Sequence, residues 1–209
     1  SDNGPARAAG NAALELMYDT ATGAGFGIAA SKGITGGRKG YKASLFEGGI
    51  GVPFLVRWPG KTPAGGVDRE TMLSAVDLLP TFCEIAAASL PEGYIADGVS
   101  QVAALQGRPN TRRSSPLFWR TQANWPPAKS RPEHWASFVV VHDRWKLLAS
   151  GNREHLELYD LVADPLEAVD QAAAFPQVVR ELLEQLDAWE KTLPASPAGD
   201  VFSSLRTSP

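Results

Sequence analysis

Apolar positions recur along this chain in two rhythms, and each predicts a different element. Near the C-terminal end Val179, Leu182, Leu183, Leu186, Trp189 and Leu193 share one face at helical spacing. Pro176 opens that segment, in the first turn where a helix tolerates proline. Short apolar runs predict strands instead. Ser115-Pro116-Leu117-Phe118-Trp119, Phe138-Val139-Val140-Val141, Trp145-Lys146-Leu147-Leu148 and Leu156-Glu157-Leu158-Tyr159 are such runs. The middle two flank His142-Asp143-Arg144, which predicts a hairpin with a short turn and an exposed His142. Further upstream, Pro53-Phe54-Leu55-Val56-Arg57-Trp58 is stopped by Pro59-Gly60 and reads as a strand buried on both faces. Asp77 is placed to cap a helix whose apolar face carries Leu79, Phe82, Ile85 and Ala86.

Between these elements the pattern fades. Residues 6 to 40 are rich in Ala and Gly and read as a long loop, with a short helical turn at Leu14, Leu16 and Met17. Residues 194–209, rich in Pro and Ser, read as a loose tail. Strand followed by helix is the order of an α/β protein. The expected architecture is therefore the end of an α/β core over residues 1–109, then a small antiparallel sheet packed with a C-terminal helix over 110–193.

Composition removes several classes of function. A formal net charge of -3, a sequence pI of about 5.6 and the lack of a basic stripe argue against a nucleic-acid partner. No apolar run approaches the ~20 residues that span a bilayer. The one cysteine, Cys83, rules out an internal disulfide or a multi-thiolate metal site and is expected to be a small buried side chain. His134, His142 and His155 are scattered, without metal-ligand spacing. Trp119, Trp125 and Trp135 cluster around a Pro-rich segment, where a sugar-stacking role competes with plain packing. The chain opens on Ser1-Asp2-Asn3-Gly4-Pro5 with no initiator Met, which suggests that a preceding portion of the protein lies outside it.

Asp2 and Asn3 place a carboxylate and an amide oxygen side by side, hard donors that suit calcium or magnesium. The same residues are also ordinary turn chemistry. Three separated segments bear on this choice. Ser1-Asp2-Asn3-Gly4-Pro5 resembles the Ser-Asp-Asn-Gly metal motif of the sulfatase family, within the alkaline phosphatase-like superfamily. Lys39-Gly40-Tyr41-Lys42 with Glu47-Gly48-Gly49-Ile50-Gly51-Val52-Pro53, running on to Arg57-Trp58-Pro59-Gly60, resembles that family's Arg-Gly-x-Lys, Glu-Gly-Gly-x-Arg-Val-Pro and Arg-Trp-Pro-Gly. Glu157-Leu158-Tyr159-Asp160-Leu161 with Asp164-Pro165-Leu166-Glu167 is similar to its C-terminal signature. Val76-Asp77-Leu78-Leu79-Pro80-Thr81 and Trp145-Lys146-Leu147 fit between them in order.

The resemblance implies the C-terminal portion of an alkaline phosphatase-like α/β fold, and a parent enzyme that hydrolyses organic sulfate monoesters. It implies calcium as cofactor, with Asp2 and Asn3 supplying part of its coordination. Lys42 would contact the sulfate; Lys39 stands at the offset of the family's upstream Arg. The nucleophile would be a formylglycine made from a Cys or Ser in a Cys/Ser-x-Pro/Ala-x-Arg motif. Cys83-Glu84-Ile85-Ala86-Ala87 does not match that motif, so no nucleophile is expected within these 209 residues. The substrate would be a sulfated small molecule or glycan, and the missing N-terminal half of the same protein would be the chain's partner. Many bacterial relatives are exported, but a targeting signal would lie upstream. Glu47 is expected to pin the Gly-rich turn, with positive φ at Gly48 and Gly49.

The chain departs from the family pattern twice. Gly51 stands where the family has Arg, and Asp170-Gln171-Ala172 replaces the usual Asn-Leu-Ala. Two rival readings follow. One is a non-catalytic remnant that binds glycans or serves as an interaction module, which Gly51 favours. The other is a phosphate or phosphonate ester hydrolase of the same superfamily. Asn3 disfavours it, because the two-metal branches place His after this Asp.

Overall fold

The computed structural model describes Gly4, residues 34–108, Arg113, residues 115–121 and residues 132–193. The Leu14–Met17 turn, Trp125 and the tail from residue 194 lie outside these. Four strands form an antiparallel meander in chain order: β1 (Leu117–Arg120), β2 (Phe138–His142), β3 (Trp145–Ala149) and β4 (Leu156–Asp160). All four correspond to apolar runs in the sequence. The hairpin is tighter than expected. His142 pairs with Trp145, leaving Asp143 and Arg144 as the turn, with Asp143 at φ +53°. His142 is therefore the last residue of β2, half-buried, with Nδ1 3.0 Å from Gln185 Oε1. A two-residue connection gives the twist that joins adjacent antiparallel strands, and Asp tolerates the left-handed conformation it needs.

Strand residues alternate between faces, so the register assigns each side chain to a layer. Phe138, Val140, Leu147, Ala149 and Leu158 point to one side. There the C-terminal helix (Pro176–Glu190) lays down Leu182 and Leu186, with Val179, Leu183 and Trp189 at its edges. Trp189 stacks on Phe118 at 4.8 Å. Leu193 falls beyond the helix, in the turn that ends it. Val139, Val141, Leu148 and Tyr159 point to the other side. They are covered by Leu45, Phe46 and Ala136, with Ile50, Met72 and Trp119 packed around them. Both faces of the sheet are thus buried, which explains the unbroken apolar run of β2.

The helices before the sheet are short. Taken in chain order with the C-terminal one as α4, they are α1 (Glu47–Ile50), α2 (Leu78–Ile85) and α3 (Val102–Leu105). Asp77 precedes α2 as expected, but its carboxylate does not cap that helix. Oδ2 accepts the Ser74 amide at 2.9 Å, closing the 3-10 turn Ala75–Asp77, and Oδ1 accepts the Val99 amide and Arg113. This buried pair ties the 74–81 region to residues 97–99 and 113.

The expected strand at 53–58 is not formed. These residues form no ladder, and Phe54, Leu55 and Val56 are exposed. A strand exists only where a neighbour accepts its hydrogen bonds, and no described residue does so here. The apolar face of α2 is open too: Leu79, Phe82 and Ile85 are all exposed. Cys83, beside them, is half-buried rather than enclosed. No helix among the described residues is long and apolar enough to cross a membrane.

Candidate functional site

The loop between Lys39 and α1 folds back on itself. Gly48 N–H donates to Lys39 O at 2.7 Å, and Ser44 N–H donates to Tyr41 O at 2.9 Å. The second bond closes a turn with Lys42 and Ala43 at its tip, Ala43 in the left-handed region at φ +72°. Lys42 is exposed there, with no ion pair or hydrogen bond among the described residues. Lys39 has a different fate. Its ammonium lies 2.8 Å from Tyr159 Oη, 3.2 Å from Glu157 Oε2 and 4.2 Å from the centre of the Phe46 ring. The two lysines of the motif are thereby separated: Lys39 anchors the loop to β4, and Lys42 stands exposed at the tip. Burial pushes the Tyr159 hydroxyl well above the usual tyrosine range, and its hydrogen bond to Glu157 adds to that, so it stays a neutral donor.

The glycines of α1 are there for space. Neither Gly48 nor Gly49 has positive φ, contrary to expectation. A Cβ on Gly48 would stand 2.1 Å from Gly40 O, and one on Gly49 would stand 2.1 Å from Ser44 O. Only a backbone without side chains lets the loop close this tightly. Gly4 uses the same opening. Its amide donates to Gly49 O at 2.7 Å, and a Cβ on it would meet Gly48 O at 1.9 Å. Asn3 and Asp2 lie outside the described residues. Of that motif, Gly4 is the residue seen against α1. Gly4 and the root of the Lys42 loop are tied to one four-residue helix.

Beneath α1 lies an ion cluster that the linear sequence did not reveal. Lys146 projects from β3 into the same layer as Leu148, with its side chain 0% exposed. Its ammonium is 2.9 Å from Glu47 Oε1 and 2.8 Å from Glu167 Oε1. The Glu167 contact is one of charge rather than a well-aimed hydrogen bond. Glu167 Oε2 instead accepts the Glu47 amide at 2.6 Å. Glu167 is itself held at φ +57°, in the loop after β4. Burial raises its pKa, and the nearby Lys146 ammonium only partly opposes that. Glu47 has the pinning role expected of it, but from below and through charge. The sequence did carry a hint: a lysine within the otherwise apolar run Trp145-Lys146-Leu147-Leu148-Ala149 occupies an inward position.

Other expected positions fall outside this arrangement. Trp135 stacks on His155 at 3.8 Å and meets Phe46 edge-on, and Trp119 packs in the sheet core, so both are engaged in packing. His155 Nε2 is 3.3 Å from Glu157 Oε1, and His134 lies in the 3-10 turn Pro132–His134. Among the described residues no three His, Cys, Asp or Glu side chains converge as a metal site. Beside Glu47 a cleft of about 110 Å³ is walled by Ile50, Gly51, Met72, Leu117 and Trp119. Gly51 has no room to grow: a Cβ there would lie 2.4 Å from Glu47 Oε2 and 2.8 Å from Glu47 O.

Comparison with known proteins gives a consistent set of similarities. Residues 38–192 match the family described as N-sulphoglucosamine sulphohydrolase, C-terminal. The chain is 30% identical over 151 residues to an N-acetylgalactosamine-6-O-sulfatase of Bacteroides thetaiotaomicron, covering 72% of this chain and 29% of that protein. It is 30% identical over 195 residues to human steryl-sulfatase, covering 82% of this chain and 33% of that protein. Among solved structures, a Bacteroides thetaiotaomicron protein described under metabolism of multiple glycosaminoglycans superposes with a TM-score of 0.60 at 28% identity. That match covers 75% of this chain and 32% of the other. A protein solved in complex with a neocarrahexaose gives 0.57 at 26% identity, covering 70% and 30%. The chain thus spans about a third of the length of the curated relatives it matches.

Proposed function

This chain belongs to the sulfatase family, and from that premise we propose that the protein carrying it hydrolyses organic sulfate monoesters through a site to which the Lys42 loop and the Asp2-Asn3 segment both contribute. The observation that supports the proposal is the hydrogen bond from the Gly4 amide to Gly49 O, which ties the residue next to Asn3 in the chain to the helix that follows the Lys42 loop. Lys42 has the properties of a sulfate contact: an exposed ammonium, without a partner among the described residues, at the tip of a turn whose base is fixed. A compact cation there stabilises negative charge as it grows on the ester and leaving-group oxygens. Lys39, already paired with Glu157, is the loop's anchor.

The donors of Asp2 and Asn3 are hard oxygens, and this chemistry fits calcium, with further ligands from the rest of the protein. Bound there, calcium would supply fixed positive charge opposite the sulfate oxygens. The nucleophile, a formylglycine by family resemblance, belongs to a part of the protein outside these residues. Substrate class follows the relatives only loosely; a sulfated sugar is the favoured choice.

The test uses the whole protein with an aryl sulfate and a matched aryl phosphate as probes. The reading predicts turnover of the sulfate in preference to the phosphate. Lys42→Ala should cut kcat/KM by roughly 10²-fold or more, and removal of calcium by a chelator should abolish turnover. Preference for the phosphate would shift the assignment to the ester hydrolases of the superfamily. Gly51 favours a second reading, a glycan-binding remnant. It would be supported by sulfated-glycan binding, without turnover, in a protein lacking a modifiable Cys or Ser.

A further inference from the structure

A methionine or leucine at position 146 would suit the layer of Val141, Leu148 and Tyr159 without the cost of burying an ammonium. A buried ion pair gives little net stability over well-packed apolar residues, so its contribution here must be sought in geometry. Three motif segments far apart in sequence converge on this group: Glu47 from the Glu-Gly-Gly turn, Lys146 from β3 and Glu167 from the Asp-Pro-x-Glu loop. Glu167 grips α1 by its first amide, and Lys146 grips it by the Glu47 carboxylate. From α1, one hydrogen bond runs to Gly4 and another to Lys39 at the root of the Lys42 loop. Both of these hydrogen bonds therefore depend on a helix too short to hold its own position.

We propose that Lys146 is a positioning residue for the sulfate site. With Glu167 it fixes Glu47, and thereby sets where α1 holds both the Lys42 loop and the Gly4 backbone. This rests on the sulfatase reading for what the site does, but the coupling of positions stands apart from it.

The test compares wild type, Lys146→Met and the double variant Lys146→Met/Glu167→Gln in the whole protein. The single variant leaves two carboxylates facing each other without their cation and is expected to fold poorly. The double variant removes the fully buried Lys146–Glu167 pair, keeps an acceptor for the Glu47 amide, and leaves the partly exposed Glu47 carboxylate to solvent, so it is expected to melt closer to wild type than the single variant does. Hydrogen exchange is read at the amides of Gly4, Gly48 and Gly49, with the β2–β3 amides as reference. In the double variant the α1-linked amides should exchange roughly tenfold faster while the reference stays unchanged. Its kcat should fall about tenfold or more with KM little altered, the pattern of a misplaced catalytic contact. Unchanged exchange at these amides, or acceleration shared equally with the sheet, would overturn the proposal. A wild-type protein that turns over no sulfate ester would sink the sulfatase reading alone, since the exchange comparison would still decide whether Lys146 positions α1.

Discussion

Phe82 and Leu55 expose 58% and 92% of their surface in this chain, on elements whose apolar sides have nothing over them. If the rest of the protein covers this face, replacing both with Ala should be nearly silent in the 209-residue chain and costly in the whole protein. Full burial of a Leu or Phe side chain contributes about 1.5–3 kcal/mol. Scaled by the fraction still exposed, Leu55 has roughly 2 kcal/mol to gain on being covered and Phe82 about 1, or ~3 kcal/mol together. The same substitutions at open surface positions fall within about 0.5 kcal/mol. Equilibrium urea unfolding of both lengths, wild type and double variant, reads the difference. Static light scattering of the short chain supplies a second signal, because an uncovered apolar face promotes association. The short chain should scatter strongly as wild type and less as the variant. Loss of less than about 0.5 kcal/mol in the whole protein would refute the reasoning and leave the face open in the mature fold.

Two further outcomes follow from particular contacts. Gly51→Ala should destabilise the protein by about 1–3 kcal/mol in a thermal melt, because the new methyl group would press on the Glu47 carbonyl and carboxylate. A neutral result would show that α1 yields more easily than its packing suggests. Glu167→Gln bears on pH. The folded-state pKa of Glu167 is raised by burial, so the folded form holds its proton more tightly than the unfolded one. Its contribution to stability is fully present below the ordinary glutamate value of about 4.3 and is lost as pH rises through the raised value. Wild type should therefore lose stability relative to Glu167→Gln as pH rises from about 4 toward neutrality. Parallel melting curves for the two proteins across that range would contradict the shift.

Local pattern was enough for the elements that complete themselves within the chain. The four strands pair with sequence neighbours across short connections, and the C-terminal helix finds its apolar partner in the sheet just before it. Period and turn chemistry therefore placed the strands to within a residue or two and the helix to within three. The segment at 53–58 shows the limit: its composition is that of a strand, but a ladder needs a partner, and no described residue offers one. The same holds for the apolar face of α2. The motifs made the family legible, and with it the expectation of a site at Lys42, Asp2 and Asn3. They did not show what holds Lys39, because its partners Tyr159 and Glu157 lie more than a hundred positions away. Nor could they join Glu47, Lys146 and Glu167. Spacing along a chain reports contacts within one element. Contacts between elements are fixed by sheet register and loop closure, and those exist only once the sheet has folded.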